Sequence, residues 1–286
     1  RPETAQAIFI NFKNIIDSYH PKLPFGIAQI GKSFRNEITA GNFIFRDLEF
    51  EQMELEYFIR KEDWESEFEK YLAKLGNWVE LIGLSPDLVS TREHDEKERS
   101  HYSRRTVDVE FEFPFGKKEL YGLAYRGDYD LKTHSERSGV ELAYIDDEGK
   151  KITPHVIEPS LGVERTMLAI LVSAYTEEGE RIFLKLKPQI APVKVAIFPL
   201  LANKPELVKG ARKIFQDLKS NTQHPIAWDD RGNIGKRYAA QDEIGTPWCV
   251  TVDFQSLKDN AVTVRDRDTA LQERVKISDL SEYFDS

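Results

Sequence analysis

The sequence predicts an α+β protein, an antiparallel sheet with flanking helices followed by a smaller α/β domain. Three observations carry that expectation. Strand-like alternation in 25–31 and 45–59 brackets the turn residues Thr39-Ala40-Gly41-Asn42, the pattern of a hairpin. Strict alternation returns in 106–113 (Val107, Val109, Phe111 and Phe113 against Asp108, Glu110 and Glu112) with no crossover helix between paired strands. Beyond the prolines Pro188 and Pro192, strands and helices alternate in short α/β order.

Taken in order, 45–59 reads as a strand with Met53, Leu55, Tyr57 and Ile59 on one face and Glu54 and Glu56 on the other. Residues 63–82 read as an amphipathic helix, since Trp64, Phe68, Tyr71, Leu72, Leu75, Val79 and Ile82 recur at helical spacing. A further strand is expected over 119–125, and an apolar helix from about Val163 to Tyr175. After the boundary, strands are expected at 193–200, 225–228, 247–254 and 261–265, with helices at 204–219 and 278–284. The expected domains are 1–188 and 189–286. No internal repeat or low-complexity tract is present.

Hydrophobic residues at 40% and charged residues at 31% exclude a disordered chain. Cys249 is the only cysteine, so neither a disulfide framework nor a cysteine zinc site can form within the chain, which fits a reducing, cytoplasmic setting. In its apolar Trp248-Cys249-Val250 context it reads as a small buried hydrophobe. No apolar run is long enough for a membrane span and no cleavable signal pattern heads the sequence, so no membrane partner is expected. The net charge is −9; residues 192–286 hold 14 basic and 14 acidic side chains, leaving the acidic excess to the first part. That balance argues against indiscriminate nucleic-acid binding but allows a local basic patch. The opening Arg1-Pro2-Glu3-Thr4 reads like the interior of a site, and a longer parent chain is expected.

Gly26 to Ser33 matches the phosphate-loop pattern G-x-x-x-x-G-K-[ST] at every fixed position. A phosphate loop needs a strand before the first glycine and a helix at the lysine. Here Pro21 and Pro24 precede it and the middle residues alternate, so the match is expected to be a coincidence on a strand.

Arginines and carboxylates concentrate in three places: Arg35-Asn36-Glu37 with Phe45-Arg46 through Glu54, Glu119-Leu120-Tyr121-Gly122, and Glu158 through Arg165. One such cluster is ordinarily a solvated face. Together they suit a nucleoside triphosphate, held by arginine, beside something positively charged, held by acids.

Arg35-Asn36-Glu37 with Phe50 resembles motif 2 of the class II aminoacyl-tRNA synthetases, and Gly162-Val163-Glu164-Arg165 at a helix start resembles motif 3. Within that family the wording is similar to the dimeric, single-chain glycyl type, in Arg1 to Gln6, Phe50 to Glu54, Glu119 to Gly122, Asp128 to Leu131, Glu158 to Ser160, Gly232 to Tyr238 and Thr263 to Asp268. The resemblance covers nearly the whole chain and implies a class II sheet domain lacking motif 1, then an anticodon-binding domain. It implies glycine, ATP and tRNA(Gly) as substrates, Mg2+ as cofactor and a homodimer in the full-length family. Arg35 and Arg165 would be the catalytic arginines. Asn36, Glu37, Phe45, Arg46, Phe50, Glu119, Leu120 and Gly162 would complete the ATP site, with Glu119 the magnesium ligand. Glu3, Phe50, Glu51, Gln52, Met53, Glu54, Glu158, Pro159, Ser160 and Gly162 would form the glycine site. Lys236, Arg237, Arg265 and Arg267 are the candidates for RNA contact. His94, His101, His134 and His155 lack metal-ligand spacing and read as structural or RNA-proximal, and Trp228 as core. A non-catalytic synthetase-like accessory subunit would be expected to have lost the motif arginines or pocket acids; a serine, threonine or proline synthetase fits the acid-rich pocket poorly.

Overall fold

The computed structural model describes residues 1–285 and divides into two compact units, Arg1–Val172 and Ser173–Ser286.

The first unit begins with helix α1 (Ala5–Tyr19), strands β1 (Phe25–Phe34) and β2 (Glu49–Ile59), and helix α2 (Trp64–Leu81). Strands β3 (Val89–Glu93), β4 (Arg105–Phe113) and β5 (Gly116–Gly127) follow, then helix α3 (Tyr129–Ser138) and a two-strand ribbon, β6 (Tyr144–Ile145) with β7 (Lys151–Ile152). Strand β8 (His155–Gly162) runs directly into helix α4 (Val163–Ala174). Six strands form one antiparallel sheet in the order β1-β2-β8-β5-β4-β3. The phosphate-loop look-alike lies within β1, as its alternation predicted.

Each face of this sheet is covered differently. On one, Val107, Val109, Phe111, Tyr121, Leu123, Tyr125 and Ile157 pack with Phe68, Leu75 and Val79 of α2 and Ala169 of α4. On the other, Phe58 and Val156 meet Ala5, Ile8, Phe9 and Phe12 of α1 and Leu131 of α3. This second face therefore is not solvated, and the acids of β2 that alternation assigned to it are buried with it. Register places Gln29, Glu54, Ser160, Gly122, Asp108 and Arg92 side by side across all six strands. Directly cross-strand residues share a face, so this polar row lies on the α1 side.

In the second unit, strands β9 (Tyr175–Glu178) and β10 (Arg181–Leu184) form a hairpin. Strand β11 (Val195–Pro199), helix α5 (Pro205–Asn221), strand β12 (Ile226–Trp228), helix α6 (Ile234–Glu243) and strand β13 (Trp248–Val252) follow. Helix α7 (Ser256–Asp259), strands β14 (Ala261–Asp266) and β15 (Gln272–Lys276) and helix α8 (Leu280–Asp285) close the unit. Its sheet order is β12-β11-β13-β14-β15, parallel around β11 and antiparallel beyond β13. Leu207, Ala211, Ile214 and Leu218 of α5 cover one side, and Ile234 and Tyr238 of α6 the other. Residues 173–188, grouped by sequence with the first domain, cluster with the second. Arg181 of β10 explains why, since it bonds the Arg267 carbonyl at 2.6 Å and the Asp242 carboxylate at 3.3 Å. Burial pushes the Cys249 thiol up to about 12, in keeping with an inert apolar side chain.

Candidate active site

A cavity of about 130 Å³ opens at the end of the sheet where β2, β5 and β8 run out. Arg35, Glu37, Phe45, Arg46, Phe50, Gln52, Glu119, Leu120, Ser160, Gly162 and Arg165 line it, so most of the expected nucleotide set converges. Asp47 and Glu164, which stood in the arginine and carboxylate clusters without an assigned role, line it too, as does Ile44. Glu164 fastens the end of β2, both its oxygens accepting from the Glu51 N–H at 3.0 Å.

The two arginines are held lightly. Arg35 donates through Nε to the Pro2 carbonyl at 3.1 Å, and its guanidinium carbon lies 5.1 Å from the Phe50 ring centre. Arg165, in the first turn of α4, donates through Nε to the Phe45 carbonyl at 3.3 Å and through Nη1 to the Glu119 carbonyl at 3.0 Å. Its guanidinium stacks 4.3 Å from the Phe45 ring, and Glu119 Oε2 is 3.4 Å from Nη1. Among the described residues, nothing bonds Arg35 Nη1 and Nη2 or Arg165 Nη2. These are open donors in a cavity, the arrangement that suits phosphate oxygens.

Beside the cavity, on the same sheet face, lies an acid cluster. Glu54 Oε2 accepts from the Thr4 and Ala5 backbone N–H groups at 2.7 and 2.8 Å and from the Thr4 hydroxyl. A helix begins with unpaired N–H groups, so this carboxylate anchors the start of α1. Glu54 Oε1 accepts from Gln52 Nε2 at 3.1 Å and Ser160 Oγ at 3.0 Å, both residues of the cavity lining. Gly122, in the same row, leaves room where a side chain would stand. Glu158 is bonded at 2.8 Å by Arg126 Nη1, and Arg126 grips Asp130 bidentately at 2.7 and 2.8 Å. Burial raises the Glu158 carboxyl to about 7, with Arg126 working against the shift and Glu54 and Glu3 adding to it. Glu3 itself accepts from Gln6 Nε2 at 2.9 Å.

Several expected site residues stand elsewhere. Glu51, Met53 and Pro159 occupy odd-numbered positions of β2 and β8, and alternation turns their side chains to the Tyr57 and Ile157 face, away from Glu54 and Glu158. Asn36 is exposed and does not line the cavity. Arg126 and Asp130 were not anticipated; an arginine inside the apolar run Leu123-Ala124-Tyr125-Arg126 was the available signal. The described residues contain no group of three metal-ligating side chains. Glu119, half exposed at the cavity edge, offers a single carboxylate. Such a donor set fits a magnesium ion that arrives with a polyphosphate, since that ion takes one or two carboxylates plus phosphate oxygens.

The expected RNA set needs a larger correction. Arg237, Arg265 and Arg267 are all buried. Arg237 donates to the carbonyls of Pro199, Arg231 and Gly232 at 2.6, 3.0 and 2.9 Å. Arg265 clamps Asp242 at 2.7 and 2.9 Å, and Arg267 ties the Gly245 and Leu186 carbonyls at 2.6 and 2.8 Å. Their donors are spent inside the fold, and only Lys236 remains exposed. Of His94, His101, His134 and His155, three are bonded within the fold, the first to Asp108, the third to Gln6 and the last to Tyr125, while His101 is exposed and packs edge-on against Tyr102 and Tyr129.

Comparison with known proteins identifies the family. Residues 1–174 match the model of the tRNA synthetase class II core domain (G, H, P, S and T). The chain belongs to the class II tRNA synthetase family. Residues 194–286 of this class II chain match the anticodon binding domain model. It is 52% identical to the glycine–tRNA ligase of Lachnospira eligens, over 100% of this chain and 62% of that protein. It is likewise 52% identical to that of Caldanaerobacter subterraneus, with 100% and 62% covered, and 50% identical to that of Mycoplasmopsis synoviae, with 99% and 63% covered. The chain thus spans a little over three-fifths of the length of these curated relatives. Among the described residues of this class II chain, no helix is long and apolar enough to cross a membrane.

Proposed function

We propose that this chain carries the ATP and amino-acid site of a glycine–tRNA ligase, which activates glycine to its adenylate and passes it to the 3′ end of tRNA(Gly). The observation that carries the reading is the junction of two chemistries on one sheet face. A cavity with open arginine donors adjoins an acid cluster, and Gln52 and Ser160 belong to both. Relatives bearing the name glycine–tRNA ligase at about half identity support the choice of amino acid.

In this reading Arg35 and Arg165 neutralise the triphosphate, and Phe50 stacks on the base once Arg35 swings from its ring toward phosphate. Glu37 and Arg46, 4.0 Å apart, border the same pocket. Glu119 would hold a magnesium ion together with the phosphates, and that ion, when bound, would supply charge neutralisation on the pyrophosphate. A glycine carboxylate oxygen attacks the α-phosphorus in line; the bond to the bridging oxygen breaks and pyrophosphate leaves with its electron pair. Such transfer depends on positioning and electrostatics, so no general base is required. Glu3, Glu158 and Ser160 face the ammonium, while Glu54 fixes Ser160, Gln52 and the first turn of α1 around it. A side chain larger than hydrogen would meet this packed acid floor, and a clash filters better than an attraction. In the second unit Lys236 is the remaining candidate for tRNA contact.

Glycine-dependent exchange of pyrophosphate into ATP tests the proposal. Exchange with glycine and not with alanine or serine is expected. Exchange with none of the three would refute the ligase reading, and preference for serine or alanine would refute the specificity.

A further inference from the structure

Glu56 lies two residues along β2 from Glu54, on the same face, and is completely buried. Neither of its carboxylate oxygens has a hydrogen-bond partner. A buried ionised carboxylate without donors is among the most costly groups a protein can hold.

Its surroundings make ionisation harder still. From its own strand it faces Glu54, from β8 Glu158, from β5 Arg126 and from α3 Asp130. Across the β1 ladder its partner is the apolar Ile27. Helix α1 brings Phe9, whose ring lies 5.4 Å from the Arg126 guanidinium, while the helix's charged residues Lys13 and Asp17 pair with each other at the surface. Tyr102 stacks 3.9 Å from the same guanidinium, and Glu3 approaches Glu158 from the start of the chain. His134 of α3 is bonded to Gln6. One guanidinium therefore stands among five carboxyl groups, and two of its three nitrogens are already given to Asp130 and the third to Glu158.

We infer that Glu56 is protonated in the empty pocket and gives up its proton to solvent when the substrate's ammonium binds, so that amino-acid binding is coupled to proton release. The inference rests on the proposed glycine reading. Charge balances at the acid cluster: the ammonium brings one positive charge and the departing proton removes one, while the glycine carboxylate lies toward the arginines of the cavity. Glu56 serves as a positioning residue. It lets the pocket stay compact without ligand and become anionic with it. Desolvation first, then Glu158, raise the Glu56 carboxyl well above its ordinary range, in agreement with this geometry.

The sign is definite. Between the lowered value of the bound state and the raised value of the free state, the free protein holds the extra proton. In that window affinity for glycine rises with pH, and it levels off once the free state also ionises.

Calorimetric titration of the protein with glycine, in buffers of differing ionisation heat at neutral pH, measures the proton count directly. Glu56→Gln is expected to release about one proton fewer per glycine bound than the wild type, whatever Glu158 contributes. Infrared difference spectra offer a second reading: the band of a protonated carboxyl should vanish on adding glycine and be missing in Glu56→Gln. Binding heats that do not depend on buffer would overturn the inference while leaving the glycine reading intact. Undiminished proton release in a folded Glu56→Gln variant would overturn it as well, by moving the proton to Glu158. Absence of any glycine binding would bring down the function proposed above, and this inference with it.

Discussion

Arginine is disposed in opposite ways in the two units. In the first, Arg35 and Arg165 border a cavity, each with a terminal nitrogen left open and each stacked on a phenylalanine. In the second, Arg237, Arg265 and Arg267 are buried, and their nitrogens are taken up by carbonyls and by Asp242 and Asp268. All five stood in sequence as basic residues expected to meet phosphate or RNA, Arg35 and Arg165 at ATP and the other three at tRNA. What separates a ligand-binding arginine from a structural one is the supply of nearby acceptors, which only the folded chain reveals.

The largest test of that contrast is Arg265→Ala. The substitution strands the buried Asp242 carboxylate with only Arg181 in reach at 3.3 Å. Removing one partner of a buried pair costs about 3–5 kcal/mol. Denaturant unfolding followed by Trp228 and Trp248 fluorescence should show a loss of that order. A change within experimental error would mean that Arg265 is not a structural residue, and the comparison would collapse.

Arg165→Ala should behave in the reverse manner. Glycine-dependent exchange is expected to fall about 10²–10³-fold, the usual loss for one donor to developing charge. Stability should fall far less than for Arg265→Ala, because the side chain is partly exposed at the cavity and donates to the Phe45 and Glu119 carbonyls, so its removal strands no buried carboxylate. Near-normal exchange would remove Arg165 from the site, whatever the stability.

The unequal legibility of the two regions has the same root. Helix α2 and strands β4 and β5 present one apolar face each, so periodicity located them within a few residues. Strand β2 was located as well, with its two faces assigned as found; what alternation did not report is that α1 and α3 bury the Glu54 and Glu56 face. Helix α1 carries the signal in Ala5, Ile8, Phe9 and Phe12, hidden beneath a motif-like opening. Helix α3 offers no apolar stripe and α6 only the pair Ile234 and Tyr238; α3 buries Asp130 beside Leu131, and α6 buries Arg237, Gln241 and Asp242. No hydrophobic pattern reports a helix held by buried polar bonds, and Arg126 of β5 was overlooked because its partner Asp130 sits on such a helix.

The smallest expected effect sharpens the contrast from the exposed side. Lys236 sits in the first turn of α6, where its backbone N–H, not its side chain, is capped by Asn233 Oδ1 at 2.9 Å. Lys236→Ala therefore keeps the cap and should shift stability by no more than about 0.5 kcal/mol. If this lysine meets tRNA phosphate, the variant should bind tRNA(Gly) more weakly and lower the salt slope of log K by about one. A filter-binding series across salt concentrations measures both. An unchanged slope would leave the second unit with none of the four basic residues its sequence nominated, and would direct the search to cations already exposed in the fold, such as Arg231 beside the Asp229 carboxylate.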